Sequence, residues 1–114
     1  MSEALRQHVD AFNARDLDAL LAGFTEDAVW VTGTTVVRGI DELTALFADA
    51  MTQLLPTLTI QDVLTDGDRV AAQLTETLTH DGQARTFAIA GFYRLRDGRI
   101  TSAKIYREGS AELA

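Results

Sequence analysis

The sequence predicts an α+β fold: helices packed in the concave face of a strongly curved mixed sheet that ends in a four-strand antiparallel meander. Three observations predict it. Asp-Gly pairs recur at Asp66-Gly67, Asp81-Gly82 and Asp97-Gly98, each flanked by apolar or threonine-rich alternation. Through the first half of the chain the apolar residues recur instead at three- and four-residue spacing, the period of a helix face. A single proline, Pro56, divides the two regimes.

Each element follows in order. Leu5, Val9 and Phe12 form one helical stripe. Asp16 can cap a short second helix carrying Leu17, Leu20, Leu21 and Phe24, because an aspartate side chain accepts from the free N–H groups of a first turn. Ala28 to Thr32 is β-rich, Gly33 breaks it, and Thr34 to Val37 returns as a small hairpin arm. Gly39 then opens a third helix with Ile40, Leu43, Leu46, Phe47, Ala50, Met51 and Leu54 inward, stopped by Pro56. Asp and Gly tolerate the positive φ of tight hairpin loops, so the three pairs set strands near 57–65, 69–80, 84–95 and 99–107. Strands that long must twist and curl, which creates a concave face for the helices to cover.

Composition narrows the function. Ten Lys+Arg against seventeen Asp+Glu give a net charge of −7, which leaves no basic footprint for nucleic acid or an anionic membrane. No apolar run reaches the roughly 20 residues that span a bilayer. There is no cysteine, so disulfides, thiolate metal sites and cysteine nucleophiles are excluded. With an N-terminus that lacks the charged-then-apolar layout of a secretory signal, the expectation is one cytoplasmic domain over residues 1–114. Neither metal nor cofactor is expected. Two histidines do not make a zinc site, and Asp16-x-Asp18 and Asp66-x-Asp68 do not continue into a calcium loop. None of the serines Ser2, Ser102 and Ser110 sits in a Gly-x-Ser-x-Gly elbow.

Strand alternation sorts the candidate site. Along 70–80 the even positions are Val70, Ala72, Leu74, Glu76, Leu78 and His80, an apolar face with a carboxylate in its middle. Glu76 has three readings: a general acid or base held in an apolar cavity, half of a structural ion pair with Arg107 or Arg38, or a polar contact that orients a ligand. A two-residue Asp81-Gly82 loop pairs His80 with Gln83 and Glu76 with Phe87, which turns Phe87, Ile89, Gly91, Tyr93 and Leu95 to the same face. Trp30 and Thr32 share a face of the first strand. His8 borders the first helical stripe, either as a hydrogen-bonded core histidine or as a donor to the site. The last strand admits two registers. A two-residue loop turns in Ile100, Ser102, Lys104 and Tyr106; a three-residue loop with a bulge turns in Thr101, Ala103, Ile105 and Arg107, and is preferred because it keeps Lys104 out. The pocket-lining set is then Phe12, Trp30, Thr32, Leu74, Leu78, Phe87, Gly91, Tyr93 and Ile105.

The run Phe12-Asn13-Ala14-Arg15-Asp16-Leu17-Asp18-Ala19-Leu20-Leu21, followed by Phe24-Thr25-Glu26-Asp27-Ala28-Val29-Trp30, Val37-Arg38-Gly39 and Asp97-Gly98-Arg99-Ile100, resembles the NTF2-like superfamily in its SnoaL-like branch over essentially the whole chain. The resemblance implies a cone with a pocket between sheet and helices, and a homodimer formed through the sheet. It does not fix an activity, since that superfamily holds ketosteroid isomerases, polyketide cyclases, epoxide hydrolases, dehydratases and non-catalytic modules. Set beside ketosteroid isomerase, His8 stands at the oxyanion-hole tyrosine, Thr32 at the catalytic aspartate and Gly91 at the protonated aspartic acid, so two of three groups are missing. The SnoaL cyclases carry an acid/base aspartate in the final strand, where this chain reads Ala103-Lys104-Ile105. The expectation is a small apolar molecule bound in the pocket, with cofactor-independent proton transfer by Glu76 and oxygen stabilised by His8 or Tyr93. The alternative is a non-catalytic binding or dimerisation module with Glu76 salt-bridged. A pocket below about 300 Å³ counts against the enzyme, and an exposed apolar patch around Ala88, Ala90 and Phe92 favours the dimer.

Overall fold

The computed structural model of the chain describes residues 2–53 and 56–109; Leu54, predicted on the third helix, and Ser110 lie outside them. Helix α1 (Glu3–Asn13) is capped by Ser2, whose hydroxyl accepts from the Leu5 N–H at 3.2 Å. Its buried side is Leu5, His8, Val9, Ala11 and Phe12, the predicted stripe with His8 inside it. Helix α2 (Leu17–Ala22) is capped by the Asp16 carboxylate, which accepts from the Ala19 N–H at 3.1 Å. Strand β1 (Phe24–Thr32) begins four residues before the predicted Ala28, and Phe24 belongs to it rather than to α2. The reason is tertiary: the Ile100 N–H donates to the Gly23 carbonyl at 2.8 Å and Phe24 pairs with Ile100, so sheet pairing overrides helical spacing. A two-residue turn at Gly33-Thr34 leads to β2 (Thr35–Arg38). Helix α3 (Gly39–Gln53) follows, with the Glu42 carboxylate accepting from the Arg38 N–H at 2.9 Å.

The meander is β3 (Thr57–Asp66), β4 (Arg69–His80), β5 (Gln83–Arg96) and β6 (Arg99–Arg107). All six strands form one open sheet in the order β2-β1-β6-β5-β4-β3, mixed because β1 runs parallel to β6. At Asp81-Gly82 and Asp97-Gly98 both loop residues have positive φ (52° and 76°; 54° and 78°), the requirement of a type I′ turn. The first hairpin differs. Asp66 pairs with Arg69, so its loop is Gly67-Asp68, with Gly67 at φ 59°. This is the expected α+β architecture, three helices against one open, mixed six-strand sheet.

The last hairpin also departs from the preferred expectation. Its loop has two residues, since Arg96 pairs with Arg99 and Leu95 with Ile100. Pairing then resumes at Arg94–Ser102, leaving Thr101 as an unpaired bulge. Because side chains alternate, the extra residue switches faces: Ile100 is buried before it, and Ala103 and Ile105 after it, with Lys104 exposed. Loop and face were coupled in the sequence reading, and the bulge uncouples them. The Thr101 hydroxyl pairs with the Thr25 hydroxyl at 3.1 Å.

The core sits between the helices and the inner sheet face. Leu20 and Leu43 at its helix side and Ile100 on the sheet are wholly enclosed, each stabilising the fold by about 1.5–3 kcal/mol through removal of apolar surface from water. Among the described residues no helix is long and apolar enough to cross a membrane.

Candidate functional site

A cavity of about 150 Å³ remains where α1 and α3 meet the concave sheet. Strand alternation supplies most of its floor. β1 contributes Trp30 and Thr32, β4 contributes Leu74 and Glu76, β5 contributes Ile89 and Tyr93, and β6 contributes Ile105 and Arg107. His8 and Phe12 of α1 close one side and Leu46, Phe47 and Ala50 of α3 another, with Pro56 and Leu58 completing the wall.

Eight of the eleven residues named from sequence therefore stand around one cavity: His8, Phe12, Trp30, Thr32, Leu74, Glu76, Tyr93 and Ile105. Leu78, Phe87 and Gly91 share the inward face but do not line it. Leu78 is half-buried opposite Arg85, one strand step beyond Glu76. Phe87 is half-buried with its ring 5.4 Å from the Arg107 guanidinium carbon. Gly91 is covered by Tyr93, whose ring lies back along β5; a Cβ on Gly91 would stand 2.3 Å from the Tyr93 Oη. Leu46, Phe47 and Ala50, expected on the inward stripe of the third helix, line the cavity as well; spacing gives a helix its inward face but not which of its residues border a pocket.

Glu76 is paired. Arg107 Nη1 donates to Oε2 at 3.3 Å and Nη2 donates to Oε1, a two-point contact in which the Glu76 side chain is 10% exposed and Arg107 42%. This is the ion-pair reading, with Arg107 rather than Arg38 as the partner. It removes the free, desolvated carboxylate that acid/base work by Glu76 requires. The His80 side chain lies outside the described residues.

His8 is buried among rings: its centroid is 5.5 Å from Phe24, 5.5 Å from Trp30 and 6.0 Å from Phe47. Burial pushes its pKa down from 6.5 to about 4, so the imidazole is neutral at neutral pH. The expected hydrogen bond of a core histidine is not among those formed by the described residues. Tyr93, 6.3 Å from Trp30 between centroids, is held protonated because burial raises its phenol well above the ordinary value. Its hydroxyl likewise has no hydrogen-bond partner among the described residues. No fully enclosed polar side-chain atom of the described residues lacks a partner; the polar atoms of His8 and Tyr93 are therefore at the cavity surface. Among the described residues, no three His, Asp or Glu side chains converge as a metal site.

On the opposite sheet face, Phe92 is 55% exposed and Tyr106 51%, with rings 5.9 Å apart edge to face. Phe92 lines a shallow groove with Val31, Leu64 and Lys104. The patch thus includes the predicted Phe92, while Ala88 and Ala90 are half-buried.

The SnoaL-like domain family matches residues 5–103. An LEH-like epoxide hydrolase of M. tuberculosis is similar in structure, with a TM-score of 0.85, 23% identity, and 94% of this chain and 81% of that one covered. An NTF2-like protein of unknown function from Burkholderia pseudomallei has a TM-score of 0.85 at 21% identity, with 94% and 89% covered. A protein of Catenulispora acidiphila with a ketosteroid isomerase-like fold, solved in complex with trimethylamine, has a TM-score of 0.83 at 20% identity, with 91% and 84% covered. No curated protein matches the sequence. At these identities the likenesses establish the fold.

Proposed function

Since the chain belongs to the SnoaL-like domain family, we propose that it is a ligand-binding member whose cavity takes a compact, neutral, largely apolar molecule. The observation that carries this is a small aromatic-walled cavity whose one buried carboxylate is already held by Arg107. The volume, about 150 Å³, is half of the lower end of ordinary ligand sites, about 300 Å³, and matches an apolar cavity that admits benzene. It suits a single ring, not a polycycle. Proton transfer by Glu76 is not part of the proposal, because both the pairing and the volume stand against it.

Charge is selected against by the same walls. His8 shows what burial costs a cation there: a fall from 6.5 to about 4 corresponds to roughly 3 kcal/mol against the protonated form. Trimethylamine in the C. acidiphila protein is compact, which agrees with the size expected here; an ammonium form would meet the penalty that keeps His8 neutral. A homodimer formed through the outer sheet face belongs to the same proposal, supported by the exposed Phe92 and Tyr106.

Toluene and phenanthrene test it. Trp30, the one tryptophan, lines the cavity, so its fluorescence and its indole N–H resonance report occupancy. Toluene is expected to shift both in a saturable way, together with the Leu74 and Ile105 amides, and phenanthrene to leave them unmoved. Toluene shifts that miss these residues, or none at all, overturn the reading.

A further inference from the structure

Tyr93 has properties that packing alone does not ask for. Its ring doubles back over Gly91, where an ideal Cβ would come within 2.3 Å of Oη, 2.6 Å of Cζ and 2.7 Å of Cε2. Those distances are far inside van der Waals contact, so a side chain at 91 and this orientation of the Tyr93 ring exclude one another; backbone freedom is not the reason for the glycine, since its φ is not in the left-handed region. A phenylalanine at 93 would bury the same ring without a hydroxyl. The hydroxyl here has no partner among the described residues and, since no fully enclosed polar side-chain atom of those residues is left unpaired, it stands at the cavity surface, open to a ligand.

The direction of the ring gives the hydroxyl a place. Gly91 pairs with Ala72 on one side and Ile105 on the other, and the next inward residue, Ile89, pairs with Leu74 and Arg107. A ring running from Tyr93 back over Gly91 aims its Oη at that group, and Leu74, Ile89, Ile105 and Arg107 all line the cavity. The phenol stays protonated there because burial raises its pKa, which makes it a donor.

We infer that Tyr93 selects the ligand: its ring, seated on Gly91, limits the cavity to a single-ring molecule, and its hydroxyl donates to a neutral acceptor oxygen, a carbonyl, on that molecule. This rests on the cavity being the ligand site. The ligand class is then a compact ketone or aldehyde with an apolar body. Gly91 serves as the positioning residue that lets the tyrosine lie in this orientation.

Cyclohexanone and methylenecyclohexane, which share a shape and differ by oxygen against CH₂, provide the test, followed through Trp30 fluorescence. Tyr93→Phe is expected to weaken cyclohexanone binding about 3- to 10-fold, the range of one net hydrogen bond, and to leave methylenecyclohexane within twofold. The carbonyl stretch of bound cyclohexanone is expected at lower wavenumber in the wild type than in Tyr93→Phe. Tyr93→Ala is expected to admit 2-decalone, which the wild type excludes. If Tyr93→Phe changes both ligands alike or neither, or if the wild type binds 2-decalone, the inference is overturned while the cavity stands as a binding site. If the wild type binds neither cyclic probe, the ligand-site reading falls and the inference with it. Tyr93→Phe removes one atom and keeps the packing, so its result does not depend on Tyr93→Ala folding.

Discussion

His8 couples the cavity to pH. Its folded pKa, about 4, lies below the ordinary 6.5, so between those values the unfolded chain binds the proton and the folded one does not. Stability from this group is therefore complete above pH 6.5 and falls as the pH drops toward 4, by about 3 kcal/mol in all. Urea denaturation at pH 7.5 and pH 4.5 should show His8→Leu losing less stability on acidification than the wild type; equal losses would remove the argument. Arg107 is the second residue to test. Arg107→Met leaves Glu76 buried without its partner; a wholly buried broken pair costs 3–5 kcal/mol, but a guanidinium this exposed is partly screened by water, so about 1–2 kcal/mol is expected, read as a lower urea midpoint. The anomaly at Glu76 was visible in the sequence because a carboxylate interrupted an apolar alternation. The identity of its partner was not decidable there, since Arg107 turns inward only if an extra residue intervenes in β6.

Elements were legible to different depths for a physical reason. The long strands and their inward faces follow from period-two alternation and from turn residues that accept positive φ, and the β4–β5 register came out residue for residue. Alternation counts faces but does not see a bulge, so the last hairpin was given a three-residue loop when Thr101 supplies the switch. Phe24 was misplaced because β1 gains its N-terminal half by pairing with β6, 76 residues away at Phe24–Ile100. Contacts of that range leave no local trace. One such contact ties α1 to the sheet edge: the Asn13 amide donates to the Leu58 carbonyl at 2.8 Å and its oxygen accepts from the Leu58 N–H at 2.8 Å. A side chain that satisfies both backbone groups of one residue fixes where β3 begins, beside the cavity wall at Pro56 and Leu58. Asn13→Ala frees both groups in a half-buried setting and is expected to cost about 2 kcal/mol, with faster amide exchange at Leu58 and little change at Leu74. Uniform acceleration across the sheet would show instead that the clamp has no local role.

At the scale of the whole molecule, the two faces of the sheet have opposite tasks. Alternation that sends Tyr93, Ile105 and Ala103 toward the helices sends Phe92, Lys104 and Tyr106 to the outside, where the aromatic pair stays exposed with the Lys104 ammonium over the Tyr106 ring. Large exposed aromatics side by side on a rigid sheet are the pattern of an association surface, and the chain's charge of −7 does not oppose contact there, because Arg94 and Lys104 lie along the same groove. A symmetric pair of chains would bury Phe92 and Tyr106 against their copies. Sedimentation equilibrium in 150 mM salt should then give twice the 12.4 kDa chain mass, and Phe92→Lys, which places a further cation at the centre of the face, should return the mass to that of one chain. Because Phe92 points away from the cavity, the same variant should still bind toluene. That combination separates loss of association from loss of fold. A wild type that sediments as a single chain at hundreds of micromolar would assign the outer aromatics to something other than self-association.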